Sequence, residues 1–420
     1  MTKFGPELAP PTRGLKSKVQ SPQVPPPPLT RRCGFCAILR QSHFAFAFDP
    51  AGQLCQTATV NINSIANQFV CDVPVYEPGK PIEAVARELR LKPSAIIKLA
   101  SNENALGPSP KALAAMRQAL PTAHLYPDGG GFYLRQALAK KLGVASDNLI
   151  LGAGSNEVIE FLFHTFVGPG DDVVVGDQAF VIYKIMAKMF QARCIAIPFR
   201  DYTHDLTAMR AAITAQTKLV FIANPNNPTG TRVPNADLAK FIRSLPPHVL
   251  CILDEAYIEF LDDPPASVCF ALKHNVVLLR TFSKIVGLAG LRIGYGVAQK
   301  ECIALMQRVR QPFNVNSIAL AGALAAVADT GHIRKTKALT RTGLAYLEKE
   351  FRRFALEYVP SCANFSLVKV GDGNKVFSAL QARGVIVRPM AGYKLPEWIR
   401  VTVGLPAENR RFIAELAKLV

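Results

Sequence analysis

The stretch TFSKIVGLAGLRIGY (residues 281–295) places a lysine, two hydroxyl side chains and an arginine around a glycine-spaced turn, one residue after the apolar run 276–279. The Lys284 amine can form a Schiff base with an aldehyde when it is buried. Ser283 and Arg292 can bind a phosphate through their hydroxyl and guanidinium groups. The stretch therefore predicts covalent capture of a phosphorylated aldehyde. Taken alone, it also fits a solvent-exposed turn, because most lysines and arginines lie on protein surfaces.

Polar residues follow three short apolar runs that have the character of buried strands. NPNNPTG (residues 224–230) follows the first run, DEAY (254–257) the second and TFSK (281–284) the third. Because ligands of an open parallel sheet bind beyond the carboxyl ends of its strands, we expect these residues at one rim. That rim would present an amide, a carboxylate with a phenol, and the lysine.

A fourth strand end predicts an anion site. NLILGAGSN (residues 148–156) has the pattern of a strand that turns through glycines into the start of a helix. The free backbone N–H groups and the positive end of a helix bind anions. Gly154, Ser155 and Asn156 are therefore the expected cradle for a phosphate close to Lys284.

The elements that must position these residues alternate along the chain. Runs rich in valine, isoleucine and leucine predict strands covered on both faces, at 171–175, 193–198, 218–223, 249–253, 276–279 and 292–297. Apolar residues at helical spacing predict helices at 81–91, 156–167 and 181–191. This alternation indicates an α/β fold with a mainly parallel sheet. After about residue 316, a long helical region precedes strands near 365–370, 385–387 and 399–403, which predicts a smaller α+β domain.

The chain of 420 residues is too long for one simple core, which predicts two domains. We expect an arm with part of the small domain at 71–120, a large domain at 121–315 and the small C-terminal domain at 316–420. Residues 1–70 are basic, proline-rich and poor in acids, and predict a disordered extension. Such a leader fits an organelle transit peptide, and equally a start codon assigned upstream of the real one.

Charge and cysteine content limit the partners. A net charge of +18 suits nucleic acid, but the basic residues are scattered among acids, so we expect an electropositive cleft for small anions and no nucleic-acid partner. The longest apolar runs are strand-length, so no membrane association is predicted. Nine cysteines without a signal peptide favour a reducing compartment, and we expect the cytoplasm. Cys33 and Cys36 have metal-ligand spacing, but no second pair follows closely, so no metal site is predicted.

The motifs NPNNPTG, DEAY, and SK followed by GLRIGY, in this order and spacing, resemble those of the fold-type-I aminotransferases that use pyridoxal 5'-phosphate. The resemblance runs from about residue 73 to 420. It implies a large domain with a mainly parallel seven-stranded sheet and a smaller α+β domain. Local matches to the histidinol-phosphate aminotransferases are LASNENALGPSP (99–110), YPD (126–128), QAFVIY (178–183), VRPM (387–390) and IRVTVG (399–404). Ala105 departs from the proline that is common in that family.

The resemblance implies a role for each motif residue towards the cofactor. Lys284 would bind it as a Schiff base and then act as the general base, and Asp254 would pair with its pyridinium nitrogen. Asn227 and Tyr257 would hydrogen-bond its phenolic oxygen, and Phe180 would stack on its ring. The ligands of its phosphate would be Gly154, Ser155, Asn156, Thr281, Ser283 and Arg292.

The resemblance also implies a second subunit and a substrate pocket. Tyr126 would reach the cofactor phosphate from the neighbouring subunit, so a homodimer would complete the site. Arg400 would bind the carboxylate of glutamate or 2-oxoglutarate, and Arg388 would help to recognise a substrate phosphate. The other residues of the pocket would be Asn104, Asn316, Asn364 and Tyr257.

The implied reaction is transamination between L-histidinol phosphate and 2-oxoglutarate, a step of histidine biosynthesis. Two other activities of the same fold remain open, an aromatic amino-acid aminotransferase and a threonine-phosphate decarboxylase. A binding or regulatory protein that kept the fold without catalysis is a further alternative. The combination of Asp254, Lys284 and Arg292 argues against it, because these residues serve a cofactor.

Overall fold

The computed structural model describes residues 61–75, 79 and 81–420. The elements below all belong to the unit Asn63–Val420. The expected proline-rich extension, as far as residue 60, and the pair Cys33 and Cys36 lie outside the described residues. No helix in the described ranges combines the length and the apolar character that a membrane span requires.

The strands, in chain order, are β1 (Ile97–Lys98), β2 (Leu149–Gly152), β3 (Asp172–Gly176), β4 (Arg193–Ile197), β5 (Thr217–Ala223), β6 (Leu250–Asp254), β7 (Val276–Thr281), β8 (Gly294–Val297), β9 (Tyr358–Val359), β10 (Phe365–Lys369), β11 (Val385–Ile386), β12 (Arg388–Pro389) and β13 (Trp398–Thr402). The α-helices are α1 (Gln68–Cys71), α2 (Ile82–Leu89), α3 (Pro110–Ala119), α4 (Phe132–Leu142), α5 (Ser155–Phe166), α6 (Ile182–Met189), α7 (Leu206–Ala211), α8 (Asn235–Ser244), α9 (Ser267–Lys273), α10 (Lys300–Gln307), α11 (Ser317–Val327), α12 (Thr330–Arg353), α13 (Gly373–Ala382) and α14 (Pro406–Leu416).

A seven-stranded sheet forms the centre of the molecule, in the order β2-β8-β7-β6-β5-β3-β4. Only β8 runs antiparallel to its neighbours, β2 and β7. Alternate residues of β5 enter two separate cores, Val220 and Ile222 on one face and Leu219 and Phe221 on the other. The sheet is therefore covered on both faces, which is why its central strands are continuously apolar. The predicted α/β fold with a mainly parallel sheet is confirmed.

One strand departs from the prediction. The segment 193–198 was expected to be covered on both faces, but β4 pairs only with β3 at the edge of the sheet. Arg193 and Ala196 are consequently exposed to solvent. The apolar run predicted the strand correctly and the cover on its two faces wrongly, because the run alone does not show that the strand lies at the edge of the sheet.

A second, four-stranded antiparallel sheet has the order β12-β13-β10-β9. Its core includes Leu347 and Phe351 of α12 and Phe412 of α14. The strand predicted near 385–387 is β11, which pairs with β1 outside this sheet, while the unpredicted β12 follows it and joins β13. The expected domain boundaries remain predictions.

Candidate active site

A cavity of about 280 Å³ lies at the carboxyl ends of β5, β6 and β7. The strand register places these ends together, since Ala223 of β5 lies opposite Asp254, and Asp254 lies opposite Leu279 of β7. The predicted site residues that line this cavity are Ser155, Asn156, Phe180, Asn227, Asp254, Tyr257, Thr281, Ser283, Lys284 and Arg292.

The Lys284 amine projects into this cavity from the turn after β7. Burial, together with the nearby charges of Arg400 and Arg292, lowers its pKa to about 8 against the opposing effects of Glu103 and Asp254. Its Nζ donates a hydrogen bond to the carbonyl oxygen of Ser101 at 3.3 Å. A larger fraction of this amine is neutral at physiological pH than of an ordinary lysine, which suits nucleophilic attack on a carbonyl.

Asp254 is fixed by two hydrogen bonds at the end of β6. Tyr183 Oη donates to its Oδ2 at 2.6 Å, and the amide of Ala256 donates to its Oδ1 at 3.1 Å. Burial raises the pKa of Asp254, so the carboxylate favours a cationic or hydrogen-bonding partner in the cavity. Tyr183 was not predicted as a site residue, although it lies in the motif QAFVIY (178–183) with Phe180, and the two rings pack edge to face with their centres 5.8 Å apart.

Tyr257 belongs to a second buried polar cluster. Its Oη accepts a hydrogen bond from Asn102 Nδ2 at 2.9 Å, and burial raises its pKa to about 12. The Lys284 Nζ lies 5.7 Å from the centre of the Tyr257 ring. Asn102 was also not among the predicted site residues, although it lies inside the motif at 99–110.

The turn into α5 forms an anion cradle. Gly154 has a φ of +84°, and a Cβ there would lie 2.5 Å from Nη2 of Arg292. A Cβ at Gly294 would lie 2.4 Å from the backbone nitrogen of Ser155. Glycine is therefore required at both positions for the guanidinium and the first N–H groups of α5 to converge.

Two hydroxyl groups complete this cradle. Thr281 Oγ1 donates a hydrogen bond to Ser283 Oγ at 2.9 Å, and the Ser283 amide donates to Thr281 Oγ1 at 3.1 Å. Both side chains are buried and lie on the cavity wall. The cavity thus joins an amine and an anion cradle to a buried carboxylate, which fits a planar phosphorylated aldehyde with a ring nitrogen.

Arg400 lies behind this wall and does not line the cavity. It is 7% exposed, and its Nη1 and Nη2 donate to Asn227 Oδ1 at 2.5 Å and to the Ala100 carbonyl at 2.6 Å. Arg388 lies directly opposite Arg400 in the register of β12 and β13. The structure therefore brings the two predicted anion-binding arginines side by side.

The predicted asparagines have structural partners. Asn104 donates to the Ile285 carbonyl at 2.8 Å, and Asn364 donates to the Asn102 carbonyl at 3.1 Å. Asn316 is exposed and accepts from the Ala319 amide at 2.8 Å as the N-cap of α11. None of these three residues lines the described cavity wall.

Tyr126 is likewise remote from the wall. Its side chain is 84% exposed and stacks on Phe313, with the ring centres 4.8 Å apart. A contact with the cofactor phosphate of the same chain is therefore not formed.

Comparison with known proteins decides the family. The model of the family "Aminotransferase class I and II" matches residues 94–416. The chain belongs to this aminotransferase family. The enzyme is a pyridoxal-phosphate-dependent transaminase by family, and the amine, carboxylate and anion cradle of its cavity fit that cofactor.

Relatives of known name are similar in sequence to this aminotransferase over most of its length. It is 48% identical over 363 residues to a histidinol-phosphate aminotransferase of Akkermansia muciniphila, which covers 86% of this chain and 100% of the relative. It is 50% identical over 357 residues to histidinol-phosphate aminotransferase 1 of Cupriavidus pinatubonensis, and the match covers 83% of this chain and 95% of the relative.

A solved structure agrees as well. The histidinol-phosphate aminotransferase of Sinorhizobium meliloti, crystallised with pyridoxal 5'-phosphate, matches with a TM-score of 0.77 and 28% identity, covering 85% of this chain and 97% of that one. The aminotransferase therefore has the fold-type-I architecture that the motifs predicted.

Proposed function

We propose that this aminotransferase transfers the amino group of L-histidinol phosphate to 2-oxoglutarate, with pyridoxal 5'-phosphate as cofactor. The products are imidazole acetol phosphate and glutamate, and the reaction belongs to histidine biosynthesis. The observation that carries the proposal is the presence of two separate groups of anion ligands. One is the cradle at Ser155 and Arg292, and the other is the pair Arg388 and Arg400.

The first group suits the cofactor. Ser283, Arg292 and the N–H groups at the start of α5 would hold its phosphate, and the Lys284 amine would bond to its aldehyde carbon. When bound, the cofactor supplies an electron-withdrawing ring that acidifies the substrate Cα–H bond. Asp254, oriented by Tyr183, would hold a proton on the ring nitrogen. Lys284, once released from the aldehyde, would move the Cα proton.

The second group suits the substrates. Arg388 and Arg400 lie directly opposite each other in the register of β12 and β13, so both cationic side chains extend from the same face of this sheet. A guanidinium fork accepts a carboxylate or a phosphate with similar geometry. Arg388 and Arg400 could therefore bind the phosphate of histidinol phosphate and the carboxylate of glutamate in turn.

A substrate profile tests the proposal. We expect kcat/KM for L-histidinol phosphate to exceed that for L-phenylalanine by at least about 100-fold, because a site with phosphate ligands disfavours a substrate that leaves them unpaired. The measurement is steady-state turnover with 2-oxoglutarate as the acceptor. A preference for phenylalanine would indicate an aromatic amino-acid aminotransferase, and release of carbon dioxide from threonine phosphate would indicate the decarboxylase.

We further propose a homodimer with a shared active site. Tyr126 lies among exposed apolar side chains that a second copy of the chain would cover: Leu120, Leu125, Phe132, Tyr133 and Phe313. Tyr126→Phe should weaken cofactor binding about tenfold, the loss of one hydrogen bond to a charged phosphate. Cofactor titration measures this, with Tyr133→Phe as the control. A monomer that remains fully active on dilution would contradict the shared site.

A further inference from the structure

Two acidic side chains line the cavity, and their surroundings differ. Asp254 is 6% exposed and accepts hydrogen bonds from Tyr183 and from the Ala256 amide. The side chain of Glu103 is 49% exposed, and its Oε1 accepts one long hydrogen bond, of 3.3 Å, from Lys98. Within the described part of the chain, Oε2 of Glu103 accepts none. One carboxylate oxygen at the cavity is thus available to a ligand.

The backbone that carries Glu103 is held at each residue of the segment 100–103. Arg400 donates to the carbonyl of the first residue at 2.6 Å, and Lys284 donates to that of the second at 3.3 Å. Asn364 donates to the carbonyls of the third and fourth, at 3.1 Å and 3.3 Å. The backbone of Glu103 is therefore fixed before a ligand binds, and only its side chain has to be ordered in the complex.

The charge of Glu103 is opposite to that of the anion ligands around it. Lys284, Arg292 and Arg400 present positive charge to the same region, and the charge of Glu103 raises the pKa of Lys284. A carboxylate here would repel a ligand that carried only anionic groups. It fits a ligand with an anionic end and, elsewhere, a hydrogen-bond donor or a cation. L-Histidinol phosphate has both, since its imidazole ring carries an N–H group and is readily protonated.

We propose that Glu103 is a specificity-determining residue whose Oε2 accepts a hydrogen bond from the imidazole ring of the amino donor. This inference rests on the proposed function and adds to it the group that recognises the ring. A phenyl ring in the same place offers no N–H group and would leave the carboxylate without a partner. A site built to accept a hydrogen bond rejects an analogue that lacks the donor.

The test compares two amino donors that differ only in the ring, L-histidinol phosphate and L-phenylalaninol phosphate. In the Glu103→Met enzyme, the preference for histidinol phosphate should fall about tenfold, through a higher KM with kcat within about twofold. Glu103→Gln keeps an acceptor oxygen, so the preference for histidinol phosphate should fall less in this variant than in Glu103→Met. The KM for glutamate should stay the same or fall, because glutamate gains nothing from a carboxylate at this position.

The control is Glu83→Met, at an exposed residue of α2 that does not line the cavity, and it should leave the preference unchanged. The affinities of both donors are also measured by calorimetry in the Lys284→Ala background, where turnover is lost. If Glu103→Met lowered the affinity for both donors equally, or left the preference for histidinol phosphate unchanged, the role of Glu103 would be overturned. Failure of the unaltered enzyme to use histidinol phosphate would instead overturn the proposed function, so the two failures are distinguishable.

Discussion

Replacing Lys284 with alanine is expected to lower kcat by at least about 10⁴-fold, the upper part of the range for loss of a general base. The variant should also lose the covalent bond to the cofactor, and with it the absorbance of the yellow enzyme. The physical reason is that Lys284 brings the amine of lowered pKa to the cavity, while the other basic side chain of its wall, Arg292, belongs to the phosphate cradle. Steady-state turnover and the visible spectrum after dialysis measure the two effects.

The pH dependence of cofactor capture tests the same residue independently. Only the neutral amine attacks an aldehyde, so the rate at which the cofactor-free protein binds pyridoxal 5'-phosphate should rise with pH. With the pKa of Lys284 lowered from 10.5 to about 8, half of the maximal rate should be reached near pH 8. Lys273→Ala, at an exposed residue of α9, is the matched control and should behave as the unaltered enzyme. Retention of the yellow colour or of turnover by Lys284→Ala would refute the assignment.

The strands and their polar ends were predictable because both depend on local sequence. Residues 276–279 are apolar on both faces of β7, and TFSK follows them after one residue, Arg280, so the strand and the site residues are encoded within ten positions. The direction of β8 was not predictable in this way. Its residues, Gly294 to Val297, would be equally apolar in a parallel or an antiparallel strand, and the pairing with β2 and β7 decides between them. The division of 385–389 between two sheets has the same cause.

The residues missed at the site have partners that are remote in sequence. Tyr183 donates its hydrogen bond to a carboxylate 71 positions away, and Asn102 donates to a phenol 155 positions away. Neither contact leaves a local pattern, and each residue also fits a packed core or a turn. The predicted asparagines show the converse case. Asn104 and Asn316 stand in or beside a motif, and their side chains donate to backbone carbonyls of other segments, those of Ile285 and Leu291.

The geometry of Arg400 explains why its effect on the substrates should be large. Its guanidinium is buried against the Phe365 ring, 5.3 Å from the ring centre, and its hydrogen bonds reach Asn227 on the cavity wall and the Ala100 carbonyl. An arginine held in this way is fixed before the substrate arrives, so binding an anion requires little reorganisation. Arg388, directly opposite it in the strand register, extends from the same face of the sheet.

Arg400→Ala should therefore lower kcat/KM for glutamate by roughly 1000-fold, about 4 kcal/mol, as when one partner of a buried ion pair is removed. Cofactor content should stay near that of the unaltered enzyme, because the phosphate cradle at Ser155 and Arg292 is separate. Since the charge of Arg400 lowers the pKa of Lys284, the midpoint of cofactor capture should move to higher pH.

Two variants separate carboxylate binding by Arg400 from a general loss of structure. Arg400→Lys keeps the charge and removes the planar fork, so it should recover part of the activity with glutamate if the fork binds a carboxylate. Arg388→Ala should impair histidinol phosphate more than glutamate, because its predicted ligand is the substrate phosphate. Thermal unfolding of each variant shows whether the fold is retained. Loss of the cofactor from a folded Arg400→Ala enzyme, with glutamate affinity unchanged, would place Arg400 in the cofactor site and refute its role towards the substrate.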